Sequence, residues 1–306
     1  MTTHNLGDRL VDEPSSRARI RELSVGPPGS GPYALTVGPD DALWITLVHA
    51  GQIARLEPDG RLDLYELGSA ACRPTQITTG PDRALWFTRS GDDRIGRITT
   101  SGDATAFPVA AGSAPFGITV GPDDALWFTA MGTDHIARIT IDGQVTEFPL
   151  PESGAMASMI TTGPDGALWF TLNQAHAIGR LRIDGEITVY PLPTSDAAPV
   201  GIASTSSAIW FVEIAAGQVG RITPDGAIHE FALPDRNARP HAIVADPHDG
   251  CWLSQWGNSR VARVAADGHV HEIALPPASE PHGLTIGPDG ALWVALEGGS
   301  AARIDI

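Results

Sequence analysis

Residues 121–129 read Gly-Pro-Asp-Asp-Ala-Leu-Trp-Phe-Thr, and residues 163–171 read Gly-Pro-Asp-Gly-Ala-Leu-Trp-Phe-Thr. Variants of this phrase surround Trp44, Trp86, Trp127, Trp169, Trp210, Trp252 and Trp293, which stand 42, 41, 42, 41, 42 and 41 residues apart. Trp256 alone falls outside the series. Arg55, Arg97, Arg138, Arg180, Arg221, Arg263 and Arg303 keep the same step. A period of this size marks a repeat architecture in which each unit is one supersecondary element. Within the third unit the runs FGITV, ALWFTA, HIARIT and QVTEFPL are short, alternate in polarity and are bounded by Gly, Pro and Asp turns, the pattern of strands rather than helices.

Four strands per unit, repeated seven times, predict an all-β fold: a seven-bladed β-propeller with four-stranded blades. A length of 306 residues could hold two average domains, but the repeat turns residues 17–306 into one ring and leaves residues 1–16 as a polar tail. The seventh unit stops at ARIDI, its third strand, while residues 18–25, ARIRELSV, resemble a fourth strand. The N-terminal run is therefore predicted to complete the last blade, which removes the open sheet edge.

The net charge is −16, and all 20 basic residues are arginine. Without a basic stripe, nucleic acid and anionic membrane are excluded as expected partners, and a metal or cationic ligand is favoured. No apolar run approaches the roughly 20 residues of a membrane helix, and residues 1–16 lack a signal-peptide core. Cys72 and Cys251 form no C-x-x-C pair, which suits a reducing compartment. The expectation is a cytoplasmic monomer.

Residues present in every blade pack the ring; residues that break the symmetry are candidates for function. The inner strand of each blade lines the channel, and one matched position on it reads Tyr33, Thr75, Phe116, Ser158, Val200, His241, His282. Two adjacent blades thus aim histidines at one channel mouth, with Tyr33 and Phe116 as an apolar wall. Around the turn at residues 287–290, hairpin register places Glu280 opposite Glu297, with Cβ atoms about 4.5–5.5 Å apart. His282, two residues along, is expected on the same face. Paired carboxylates need a shared proton or a bound cation, and oxygen ligands suit Mg2+ or Ca2+. The other blades have no acid pair there. Trp256, in the loops of that face, is a candidate platform for substrate. Glu213 and His49 are expected to be ordinary surface residues. The chain has no phosphate loop, H-E-x-x-H, G-x-S-x-G or EF-hand motif.

The repeat GPDGALWFT, with Arg239-Pro240-His241, Glu280-Pro281-His282 and Ala295-Leu296-Glu297 in the last two blades, resembles the virginiamycin B lyase (streptogramin B lyase) family over nearly the whole chain. The resemblance implies a Mg2+-dependent elimination that opens a cyclic depsipeptide antibiotic at its threonyl ester. It implies His282 as general base, Glu280 and Glu297 as metal ligands, and His241 as a substrate contact. Tyr33, Phe116 and Trp256 would suit the aromatic substrate. The alternatives are a non-enzymatic propeller that binds a ligand or protein, and a lactone hydrolase with a channel-bound metal.

Overall fold

The computed structural model describes residues 18–306; the predicted tail at residues 1–16 lies outside them. Seven four-stranded antiparallel sheets form a seven-bladed propeller. The first blade is built from Pro32–Val37, Leu43–Leu47, Gln52–Leu56 and Leu62–Glu66. Five more follow in chain order. The seventh takes Pro281–Ile286, Leu292–Leu296 and Ser300–Ile304 from the C-terminal end and Ile20–Ser24 from the N-terminal end. Ile20 pairs with Ile304 and Ser24 with Ser300, so the closure expected from residues 18–25 is present. Inner strands pack against their neighbours around the channel, and that of blade one packs against that of blade seven. Among the described residues the helical content is one 3-10 turn, Ala70–Cys72, and no helix is long and apolar enough to cross a membrane. Cys72 and Cys251 are free, buried thiols.

The repeated phrase builds a lock at the turn between the inner and second strands of five of the seven blades. In five blades the buried tryptophan donates its indole N–H to the Asp of the Gly-Pro-Asp turn at 2.9–3.2 Å. The repeated arginine donates its Nε–H to the other oxygen of that carboxylate at 2.6–2.7 Å. In five blades an aromatic ring of the outer strand stacks on the tryptophan with centroids 5.2–5.7 Å apart. The Trp and Arg columns are therefore structural, as their presence in every blade predicts. Blades five and six depart: Trp210 donates to the backbone carbonyl of Asp249 instead, and in blade six Arg263 keeps its bond to Asp246 without one from Trp252 among the described residues.

Two further regularities set up the channel mouth. Every inner strand carries a bulge at its start, between the positions of Pro32 and Leu35 in blade one and Pro281 and Leu284 in blade seven. Bulges re-aim side chains at barrel rims, and each of these spans the channel-lining position. The residue just before each inner strand is left-handed, with φ of 68° at Gly31 and 43–56° at Arg73, Ala114, Met156, Ala198, Arg239 and Glu280.

Replacing Asp123 with Ala should cost about 1–3 kcal/mol, because it strands a buried indole N–H and a half-buried guanidinium; chemical denaturation measures this. Burial opposes ionisation of the five lock aspartates, but bonds from Trp and Arg hold each below the usual carboxylate range. Their stabilisation is complete above the unfolded value of about 3.9 and is lost as pH falls through the depressed folded values. Unfolding followed by circular dichroism should therefore set in below about pH 4, and at a higher pH in the Asp123→Ala variant.

Candidate active site

A hydroxyl relay runs around the mouth, complete in four blades and broken in the next three, of which blade six keeps only its first leg, from the Ala242 N–H to the Ser254 hydroxyl at 3.0 Å. The bulge frees one backbone N–H, which donates to a threonine hydroxyl on the second strand: Ala34 to Thr46, Gln76 to Thr88, Gly117 to Thr129 and Met159 to Thr171, at 2.9–3.0 Å. Each hydroxyl donates onward to the carbonyl of the channel-lining residue in the next blade, at 2.6–2.7 Å. Val212, Ser254 and Ala295 stand where the next threonines would be. Among the described residues the carbonyls of His241, His282 and Tyr33 receive no such bond. Gly283 allows close approach in the last of these blades, since a Cβ there would meet the Tyr33 carbonyl oxygen at 2.6 Å.

Those three residues meet in the channel. Tyr33 lies with its ring centroid 4.9 Å from that of His282 and 5.7 Å from that of His241, and the two imidazoles are 4.9 Å apart, edge to face. Phe116 stands edge-on to Tyr33 at 6.1 Å. Four rings from blades one, three, six and seven thus gather at the mouth: His241, His282 and Tyr33 are in mutual contact, and Phe116 joins them through Tyr33.

Electrostatics within the cluster are set by burial. It pushes the Tyr33 hydroxyl well above the usual phenol range, and the nearby Glu297 charge adds to this. The phenol therefore keeps its proton and can donate to His241 Nε2, 3.4 Å away. Burial and the neighbouring His282 push His241 down to about 3, against the pull of Glu297, so this ring stays neutral at pH 7. Nδ1 of His241 and Nδ1 of His282 are both buried without a hydrogen-bond partner among the described residues.

Glu297 is the charged centre. Its Oε2 lies 2.7 Å from His282 Nε2 and its Oε1 lies 3.1 Å from His49 Nε2. Partial burial opposes ionisation, but the bonds and charges of His282 and His49 hold the carboxyl below its usual range. A carboxylate only accepts hydrogen bonds, so His282 carries its proton on Nε2, at the rim, and its lone pair on Nδ1, enclosed below. His282 has 12 % of its side chain exposed and Glu297 32 %, so the pair sits at the boundary between channel and solvent.

Glu280 takes a different course. The Glu297 N–H donates to its carbonyl at 3.3 Å, so the expected backbone register is present. Its φ of 46° takes the residue out of the pleat, and the same-face rule for paired strand residues needs an extended backbone. The residue is exposed and lines a cleft beside Trp256, Asn258 and Arg260. Its carboxylate has no hydrogen bond among the described residues, whereas that of Glu297 turns to the two histidines. Trp256 lies outside the four-ring cluster, with the Arg239 guanidinium 5.5 Å over its ring. Among the described residues no three His, Cys, Asp or Glu side chains form a ready metal cage. The donor chemistry at this hairpin nevertheless fits Mg2+: two carboxylates at paired backbone positions, both open to water, suit an ion often held by one or two carboxylates with waters completing its shell.

One expectation of ordinary surface character is extended and another corrected. His49 is exposed, as expected, but it also reaches across the seam between blades one and seven to Glu297; only the ring closure, invisible in local sequence, brings it there. Glu213 is fully buried, because it pairs with Pro199 and Gln218 inside blade five. Its Oε2 accepts from Gln218 Nε2 at 2.6 Å. Burial and the Glu230 carboxylate push Glu213 up to about 7 despite that bond.

Fold and site together define a propeller with a histidine–carboxylate centre at one channel mouth. The chain matches the family described as the Virginiamycin B lyase family over residues 18–304, and it belongs to that family. It is 56 % identical over 48 residues to virginiamycin B lyase of Saccharopolyspora erythraea, a segment covering 16 % of each chain. A solved streptogramin B lyase superposes with a TM-score of 0.91 at 38 % identity, covering 94 % of this chain and 97 % of the other. A catalytically inactive His-to-Ala variant of the Staphylococcus aureus virginiamycin B lyase, solved with quinupristin, gives 0.90 at 38 % identity, covering 94 % and 99 %.

The raised carboxyl of Glu213 makes a separable prediction. Below about pH 4.3 the group is protonated in both folded and unfolded chains. As pH rises toward about 7 the folded chain retains a proton that the unfolded chain has lost, so stability declines across this window. Denaturation of parent and Glu213→Gln at several pH values should give a difference that grows in favour of the variant up to about pH 7 and then levels.

Proposed function

We propose that this chain is a Mg2+-dependent carbon–oxygen lyase that opens cyclic depsipeptides of the streptogramin B type. The observation that carries the reading is His282, held at the channel rim by the ionised Glu297 beneath a wall of aromatic rings. Membership of the family supports the substrate class, and the solved relative with quinupristin supports a small cyclic ligand.

The reaction is an elimination at the ester between the threonine side-chain oxygen and the C-terminal carboxyl of the ring. The threonine Cα loses a proton, its electron pair forms the Cα–Cβ double bond, and the carboxylate leaves Cβ without addition of water. His282 is the base. Its Nε2 faces the rim and its Nδ1 is enclosed, so Nε2 is the atom that meets the threonine Cα–H: substrate displaces the Glu297 carboxylate from it, the ring's own proton moves from Nε2 to Nδ1 by way of water, and the freed Nε2 lone pair takes the Cα proton. The negative charge of Glu297 beside the ring then stabilises the imidazolium. His241, held neutral by burial, does not compete for that proton and contacts the substrate. Tyr33 and Phe116 supply the apolar wall, and Trp256 receives an aromatic side chain at the neighbouring cleft. Glu280 and Glu297 would hold Mg2+, which when bound supplies Lewis-acid stabilisation of the charge developing on the substrate carbonyl. Ring closure leaves only short five-residue outer strands as edges, and the net charge of −16 disfavours self-association, which supports a monomer.

Incubation with quinupristin should give a ring-opened product of unchanged mass, and excess chelator should stop the reaction until Mg2+ is restored. A product heavier by one water would establish hydrolysis instead. His282→Ala should lower kcat by about 10²–10⁴-fold while leaving the circular dichroism spectrum unaltered; turnover at the parent rate would remove His282 from the role of base.

A further inference from the structure

The strongest unassigned feature of the molecule is the second imidazole on Glu297. His49 lies in the loop after Leu43–Leu47 of blade one, while Glu297 and His282 belong to blade seven. Its Nε2 stands 3.1 Å from Glu297 Oε1, and the other carboxylate oxygen is 2.7 Å from His282 Nε2. The carboxylate is bracketed by two imidazoles, one on each side of the seam where the ring closes.

Two independent observations mark this contact as built. The position is unlike its counterparts, which are Gly91, Gly132, Gln174, Ala215, Gly257 and Gly298 in the other blades, so no structural need of the blade calls for a histidine. The residue beneath is unlike its counterparts as well. Gly31 has φ 68°, and the six matched residues are equally left-handed yet all carry side chains. Backbone strain therefore does not demand glycine in blade one. The loop that carries His49 does: a Cβ at Gly31 would lie 2.4 Å from His49 Cδ2 and 2.9 Å from Val48 Cγ1. The His49 N–H also donates to the Ser30 carbonyl at 3.0 Å, which fixes the loop that carries the ring.

We propose that His49 is a positioning residue of the site, acting through Glu297 on His282. A carboxylate with one oxygen tethered can rotate about its remaining torsions; with both oxygens held, its direction is set. Donation from His49 to Oε1 leaves Oε2 aimed at His282 Nε2, which holds that ring in one orientation at the rim, with Nε2–H toward Glu297 in the resting site and Nε2 facing the place where substrate enters. This role takes His282 and Glu297 as the reacting pair of the proposed elimination.

The experiment compares the parent with His49→Ala, His49→Gln and Gly31→Ala, each first checked for an unaltered circular dichroism spectrum and melting transition. The His282 ring is assigned in 15N-labelled protein without substrate or metal, by long-range 1H–15N correlation. The parent should display one Nε2–H tautomer. His49→Ala and Gly31→Ala should display exchange between tautomers, and His49→Gln, which keeps an N–H donor at similar reach, should restore the single form. With quinupristin, kcat should fall by about 10–100-fold in His49→Ala, with KM nearly unchanged and most of the loss recovered in His49→Gln. A parent-like His282 tautomer in His49→Ala overturns the proposal, as does a parent-like kcat. If no variant or parent turns over substrate, the elimination reading fails, and the tautomer measurement alone still decides whether His49 positions His282.

Discussion

The pairing of Ile20–Ser24 with Ser300–Ile304 is the constraint on which the rest depends. A four-stranded blade has an inner edge at the channel and an outer edge in solvent, and seven of them make a ring only if the last is complete. Residues nearly three hundred positions apart are joined in one sheet, and the circle then forces seven inner strands toward a common axis. That convergence lets Tyr33 reach His241, 208 residues away, and lets His49 reach Glu297, 248 residues away. The ordering entropy of those long loops is met once, by closure and by the packing of each blade on the next, and the contacts at the mouth follow at little further cost.

The frame is symmetric where it carries load and asymmetric where it carries chemistry. The Trp–Asp–Arg lock recurs at the turn that ends the inner strand in five blades, and the threonine relay ties the channel-lining carbonyls of four consecutive blades. The relay lapses beside His241, His282 and Tyr33, which are the residues that form the ring cluster. The substitutions are to valine, serine and alanine, small changes in volume that leave the β-bulge intact. A repeat protein can thus vary one mouth without disturbing the packing that holds it.

Burial divides the labour among chemically similar groups. His241 is enclosed and stays neutral, whereas His282 sits at the rim against an ionised carboxylate. Glu213 is enclosed and pushed up to about 7, whereas Glu297 is held down by the two imidazoles it faces. The two carboxyls thus move in opposite directions according to whether burial or a partner charge dominates.

The fold was legible in the chain because the period of 41 or 42 residues is itself the architecture, and because period-2 alternation and Gly-Pro-Asp turns are local signals. His241, His282, Tyr33 and Phe116 were legible too, since matched positions in a repeat occupy matched positions in space. The directions of Glu280 and Glu297 were not. Register placed their backbones opposite each other, but Glu280 is left-handed and leaves the pleat, while Glu297 is hydrogen-bonded to two histidines. His49 and the buried Glu213 were likewise out of reach of sequence. One depends on a seam between the first and last blades, the other on what a blade encloses, and both are properties of the closed ring. The amino-acid order by itself determined which residues share a level of the propeller; the tertiary structure alone decided which of them touch, because contact depends on side-chain direction and on neighbours that the chain supplies from its far end.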